Sequence, residues 1–283
     1  EGFNFLKQNQ EKIFPKEIES IFTANSWYQD DFFKVFAAER KLKGTKINGI
    51  QYGATFHNCW VNNHAQKILD TFFSWGSAHR SLSKLDLKVI GYKKKIKLKK
   101  NIKKRYFAFI SLNTVSKNVS ELGTKMTSLH EYKEYLKNVK IFLNLIPKKI
   151  RREIAIGIKE EIYSYRLDRK FFKKYFPEMD QYVNSGNDLL KFSDLHISTT
   201  RGTLELESVN DKVPTIFLEL DKIIDITNEY KKVFSDIKKN RYYFENSHNA
   251  IKTILKAYDN TEKFKSAFFN NSSIKKYEKY FLN

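Results

Sequence analysis

Two groups of residues in this 283-residue sequence have types and spacings suited to chemistry, and in both cases the chemistry is on phosphate. The first is Arg241-Tyr-Tyr-Phe-Glu245-Asn246-Ser-His248. On a continuous helix, residues seven apart return to one face about 10 Å apart along the axis, with Glu245 between them on that face. An Arg holds a phosphodiester oxygen through its forked N–H groups, and a His transfers a proton near neutral pH. Those two roles are the minimum needed to cleave RNA through its own 2′-hydroxyl without a metal. The second group is Lys88 to Arg105, where ten of eighteen residues are basic and none is acidic. Each cation of this run that neutralises a phosphate releases condensed counterions: Lys93, Lys94, Lys95, Lys97, Lys99, Lys100, Lys103, Lys104 and Arg105 are the candidates beyond Lys88. Tyr92 and Tyr106 flank the run and are spaced to stack on unpaired bases. The plainer reading of the same stretch is a solvated edge hairpin whose lysines discourage strand addition.

Composition points the same way. Lys and Arg number 52 against 32 Asp and Glu, a formal charge of +20, and a surplus of that size concentrates polyanions around the chain. A nucleic acid, RNA before DNA, is the expected partner. The many lysines also fit an AT-rich genome, although Asp and Glu do not keep pace with them.

The Arg241 to His248 motif resembles the signature of the HEPN family of helical ribonucleases, an Arg and a His a few residues apart on a late helix. The resemblance covers this one motif in a mainly helical context. It implies that Arg241 binds phosphate and His248 transfers the proton, with Asn246 and Glu245 as orienting polar neighbours. It also implies a homodimer in which two motifs form one RNA-cutting site, with no metal or other cofactor, in a defence or toxin setting. The residue after Arg241 is Tyr242, where the family most often has Asn, His or Asp. The alternative function is a non-enzymatic nucleic-acid-binding protein that uses the basic stretch alone.

Other constellations carry less. Asp70 with Asp86-Leu87-Lys88 resembles the spaced carboxylates and Lys of the PD-(D/E)xK nucleases, but Asp70 sits in an expected helix. His57, Cys59 and His64 have a spacing unusual for zinc, and no metal site is expected. The ten Gly are scattered singly, with no GxxxxGK, GxGxxG or GxSxG, which disfavours ATP-driven, dinucleotide and acyl-transfer chemistry. One cysteine rules out an intrachain disulfide and suits a reducing compartment, so the expected location is the cytoplasm. No apolar run approaches the ~20 residues of a spanning helix, and no membrane partner is expected.

The elements that must position these residues read as mainly helical, from apolar spacings of three and four and few Gly or Pro. Helices are predicted over Ile13 to Phe22, Phe32 to Leu42, Phe56 to Trp75, Ser128 to Leu145 and Ile150 to Tyr165, and again from Phe217 to Tyr258 with a break near Asn240. Alternation of apolar and basic residues over 85–110 predicts strands, and Arg201-Gly202 predicts a hairpin turn. The expected fold is therefore mainly α: a helical bundle in one domain over 1–283, with small β-hairpin insertions near 85–110 and 195–208.

Overall fold

The computed structural model describes residues 2–24, 26, 30–51, 68–76, 86–92, 102, 104–112, 129–158, 167–183, 185–199, 202–220 and 228–283. The chain divides into two compact units, one of Glu1–Tyr92, Ser120–Thr124 and Tyr280–Asn283, the other of Lys93–Val119 and Lys125–Lys279. Each contains a parallel sheet.

In the first unit the order is α1 (Gly2–Ile13), β1 (Ser20–Thr23), α2 (Asp31–Leu42), β2 (Lys46–Ile50), β3 (Thr71–Ser74) and β4 (Asp86–Val89). The strands pair in sequence order, each parallel to the next. Asp30 caps α2 by accepting the Phe33 N–H at 3.0 Å, satisfying a donor that the first turn leaves open. The helix ends at Lys43, and Gly44 takes φ +89°, a left-handed conformation that costs glycine little. Phe33, Phe36 and Ala37 of α2 close over Ile21, Ile47 and Phe72 of the sheet. Residues 280–282 also belong here. A Cβ on Gly76 would lie 2.5 Å from the Phe281 carbonyl carbon and 2.5 Å from the Tyr280 oxygen, so only glycine lets the two backbones meet. The Tyr92 N–H then donates to the Leu282 carbonyl at 2.9 Å.

The second unit runs β5 (Tyr106–Ser111), α3 (Leu129–Leu145), α4 (Lys148–Arg151), β6 (Ile154–Ile158), α5 (Leu167–Tyr175), β7 (Asp180–Val183), α6 (Gly186–Lys191), β8 (Ser193–Ser198), α7 (Thr203–Asn210) and β9 (Thr215–Leu218). It continues with α8 (Asn228–Lys239), β10 (Tyr243–Phe244), α9 (Ser247–Asp259), α10 (Thr261–Asn270) and α11 (Ser272–Leu282), whose last residues pass to the first unit. The described strands lie in the order β10-β9-β8-β5-β6-β7, all parallel. Parallel pairing needs a crossover between strands, and helices supply it, so both faces are covered. On one face the stripe of α3 (Tyr132, Tyr135, Leu136, Val139, Phe142 and Leu143) and Ile254 of α9 pack with Ile110, Ile156 and Ile197. On the other, Leu189 and Leu190 of α6 pack with Phe109 and Ala155.

The protein is thus α/β and not a helical bundle with hairpins. The expected hairpin at 195–208 is a strand, a connection and a helix: β8 pairs in parallel with β5 and β9, and Leu204-Glu205-Leu206 lies in α7. The stretch 85–110 contributes β4 to one sheet and β5 to the other. Part of the helix predicted over Ile13 to Phe22 is β1, that from Ile150 is replaced by β6, and the end of the one over Phe56 to Trp75 is β3, its residues 56–67 lying outside the described ones. The physical reason is burial on both faces. All six residues of β5 and all five of β6 are buried, so neither shows the alternation of a half-exposed strand. The predicted helices over Phe32 to Leu42 and Ser128 to Leu145 correspond to α2 and α3. Among the described residues no helix is long and apolar enough to cross a membrane.

Replacing Gly76 with Ala must force the backbone at 280–282 away. The expected cost is about 1 to 3 kcal/mol, measured as a lower unfolding midpoint, with faster proteolysis at 280–283 as the local readout.

Candidate functional site

In the second unit the chain builds β5, β6 and β7 outward in one direction, then returns to the other side of β5 for β8, β9 and β10. Strand order therefore reverses between β5 and β8. In doubly wound sheets of this order, the connections leaving the two central strands diverge and open a crevice beyond their carboxyl ends, where ligands sit.

The residues at that point are Ser111 at the end of β5 and Ser198 and Thr199 at the end of β8, with Ser111 and Ser198 in register. The Thr199 hydroxyl donates to the Ser111 carbonyl at 2.7 Å, and since that uses its one proton, the Tyr135 hydroxyl of α3 donates to Thr199 Oγ1 at 2.6 Å. Ser111 Oγ lies 2.9 Å from His196 Nε2. The His196 ring is fully buried and stacks on Phe109 at 4.4 Å between centroids, 4° from parallel. Burial without a charged partner pushes its pKa down to about 3, so the ring is neutral at physiological pH. This chain of hydrogen bonds ties α3, β5 and β8 together and fixes where the backbone after Thr199 starts.

That backbone leads into α7. Gly202 is its N-cap, in extended conformation at φ −157°, with no side-chain cap on the first turn. A Cβ placed on Gly202 would meet nothing within 4 Å. The first-turn N–H groups of a helix carry about half a positive charge between them and are donors to an incoming anion. Behind them, Glu205 and Glu207 are buried carboxylates on the same helix, and the Ser198 hydroxyl reaches Glu205 Oε2 at 3.4 Å. Ser208 Oγ and Thr215 Oγ1, 2.5 Å apart, fasten α7 to β9. A little further along the same edge, Tyr243 donates its hydroxyl to Glu219, just beyond β9. The arrangement suits an anionic group at the helix end with polyhydroxylated groups beside it.

The residues singled out from the sequence lie elsewhere. Arg241 is an exposed turn residue at φ +61° between α8 and β10, and His248 is exposed in the first turn of α9. Strand β10 separates them, so they do not share a helix face. Glu245 is exposed and pairs with Lys238 at 2.7 Å, and Asn246 caps α9 by accepting the His248 N–H at 2.8 Å. Of the basic stretch, Lys93, Lys94, Lys95, Lys97, Lys99, Lys100 and Lys103 lie outside the described residues. Lys104 pairs with Asp180 at 3.2 Å and Arg105 with Asp194, at the amino ends of β7 and β8. Tyr106 is buried, its hydroxyl 2.7 Å from both Asp180 and Tyr182, and burial together with those contacts pushes its pKa far up. Tyr92 packs edge-on against Trp75. Asp70 accepts the Ile47 N–H and pairs with Lys41; these outweigh its desolvation and hold its pKa below the usual range. His57, Cys59 and His64 lie outside the described residues, and no group of three metal-ligating side chains occurs among those described.

Residues 1–263 match the LIC12162 family transferase. The chain belongs to that family. The LIC12162 match spans most of the sequence, whereas the resemblance to HEPN ribonucleases rested on one short motif, and it is overturned. With it go the expectations of an RNA-directed ribonuclease, of a non-enzymatic nucleic-acid-binding protein and of a nucleic acid as partner. The fold is shared with the S. aureus structure described as "MnaA-UDP co-structure", at TM-score 0.55 and 10% identity over 93% of this chain and 73% of that one. It is shared also with a UDP-N-acetylglucosamine 2-epimerase, at TM-score 0.54 and 7% identity over 93% of this chain and 70% of that one. No curated protein matches the sequence. The residues at the crevice, Ser111, Tyr135, His196, Thr199, Gly202, Glu205 and Glu207, were not foreseen. The signal for those around α7 is Leu195-His196-Ile197-Ser198-Thr199, then a glycine, then Glu-rich sequence, a strand followed by a helix start where the pattern predicts a hairpin.

The buried neutral His196 makes stability depend on pH. Its folded pKa, about 3, lies below the ordinary value of 6.5. Between those values the unfolded chain binds the extra proton, so its stabilising contribution is intact above about pH 6.5 and is lost as pH falls toward 3. At pH 5 the loss is about 2 kcal/mol. His196→Gln, which cannot titrate, is expected to flatten the decline of unfolding midpoint between pH 7 and 5.

Proposed function

We propose that this LIC12162-family protein transfers a glycosyl group from a nucleoside-diphosphate sugar, with UDP sugars as the donor class, and that the second unit binds the donor. The observation that carries the reading is the start of α7, without a side-chain cap, at the switch point of a β7-β6-β5-β8-β9-β10 sheet. The family is one of transferases, and UDP is named in a structure that shares the fold. In this reading the diphosphate lies against the N–H groups that follow Gly202. The buried carboxylate of Glu205, in the first turn, faces a sugar or ribose hydroxyl rather than the phosphates, since like charges repel.

The chemistry follows from that placement. An acceptor hydroxyl attacks the anomeric carbon as the bond from that carbon to the β-phosphate oxygen breaks, and its proton passes to the departing diphosphate oxygen or to water. The electron pair leaves with the diphosphate, and the helix start stabilises the charge where it grows. Fixed backbone donors serve this well because they need no reorganisation during the step. The single cysteine suits a reducing cytoplasm, the location this reading assigns.

Gly202→Asp separates this reading from a structural role. An Asp at an extended N-cap is a good cap, so the variant is expected to fold with a midpoint equal to or slightly above that of the parent protein. Its carboxylate occupies the anion position and repels a diphosphate. Titration calorimetry with UDP is expected to show binding to the parent and at least about a tenfold loss in the variant. Release of UDP from a UDP sugar in the presence of an acceptor should fall with it. Equal UDP affinity in the two proteins, or none in the parent, sinks the assignment.

A further inference from the structure

Apart from the crevice, one surface of the second unit carries lysines that form no ion pair among the described residues. On α5, Phe172 points into the core and Phe176 just after the helix is equally buried, while Lys170, Lys173 and Lys174 are exposed. On α3, Val139, Phe142 and Leu143 are buried, while Ile141 stands 45% exposed. The two elements meet at Tyr175, itself 41% exposed. Lys140 Nζ sits 3.7 Å from the centre of the Tyr175 ring and Lys174 Nζ sits 5.3 Å from the same ring.

Two ammonium groups converging on one ring repel each other, and the ring quadrupole offsets only part of that cost. Neither forms an ion pair among the described residues, and the nearby Glu178 is taken by Arg151 at 2.9 Å. An anionic oxygen between them relieves the repulsion. The two cations at the Tyr175 ring are lysines, flexible point charges suited to a mobile layer of anions rather than to the fixed bidentate recognition that arginine provides. The apolar tips of Ile141 and Tyr175 stand among them, the combination by which a protein surface sits at the boundary between headgroups and acyl chains.

We infer that the α3–α5 face docks on an anionic phospholipid surface, with phosphate seated between Lys140 and Lys174 and the side chains of Ile141 and Tyr175 entering the interface. The association is peripheral, and its strength scales with the lysines near the surface. It is independent of the donor site, since neither Lys140 nor Lys174 belongs to the crevice.

The test is flotation of the whole protein with vesicles of phosphatidylcholine alone and of phosphatidylcholine with about one-third phosphatidylglycerol. Binding is expected only to the second kind. Lys140→Glu with Lys174→Glu is expected to weaken it at least about tenfold. Lys239→Glu with Lys275→Glu, an equal change of charge on exposed positions of α8 and α11, is expected to leave it within about twofold. Ile141→Ser with Tyr175→Ser should weaken the part of the binding that survives raised salt. Lys140 is half-buried and the other positions are exposed, and unchanged unfolding midpoints certify the variants. Equal losses from the two charge-reversed proteins would show attraction by net charge only and overturn the docking face. So would retention of binding by the Lys140/Lys174 variant, or loss that appears against a soluble polyanion such as polyglutamate but not against vesicles.

Discussion

The pairing of β5 with β8 is the constraint on which the second unit depends. Every strand in this sheet runs the same way, so each must be followed by a crossover, and crossovers of parallel strands share one hand. Laying β6 and β7 to one side and β8 to the other therefore sends the two central connections apart. What is left between them cannot be filled by an apolar layer, because the strand ends present backbone groups that need partners. The Thr199 hydroxyl supplies one to the Ser111 carbonyl, and Tyr135 in turn holds that hydroxyl. A buried imidazole that must stay neutral is the cost of keeping that region hydrogen-bonded.

Sequence pattern captured elements that have a wet side and missed those that do not. Helices α2 and α3 each bury one stripe and expose the other, so their periodicity is visible. Strands β6 and β9 have no exposed face, and with five and four residues they merge into the helical spacing of their neighbours, while β5 is expected as a strand with a solvated face and instead buries all six residues. Helix α7 fails in the opposite way: Glu205, Leu206 and Glu207 are all buried, and their alternation imitates a strand. The Arg241 to His248 stretch has helical spacing on paper, yet the backbone turns at Arg241 into a left-handed conformation and the helix stops there. Short-range pattern cannot anticipate such a break, because the strand β10 that follows is held by pairing with β9.

Net charge was the most prominent property of the sequence and the least informative about the site. Lys104 and Arg105 answer carboxylates at the amino ends of the sheet, the end away from the crevice. The anion position proposed at the crevice draws its positive potential from the start of α7, where a glycine is the N-cap, and not from lysines. A composition count sees side chains only. It therefore registers the cations that hold elements together or face outward, and it is blind to a site made of peptide dipoles.

The contact at Gly76 concerns the order in which the molecule can be completed. Its neighbours, the backbone atoms of 280–282, leave the ribosome roughly 150 residues after the other segments of the first unit, at ~5–20 residues per second. During that interval the first unit exists without one of its own pieces, and the second unit is synthesised and can fold. The sheet of the first unit is thus a late-finished structure although it precedes the second unit in the sequence, with its surface around Gly76 and Tyr92 left uncovered until residues 280–282 arrive.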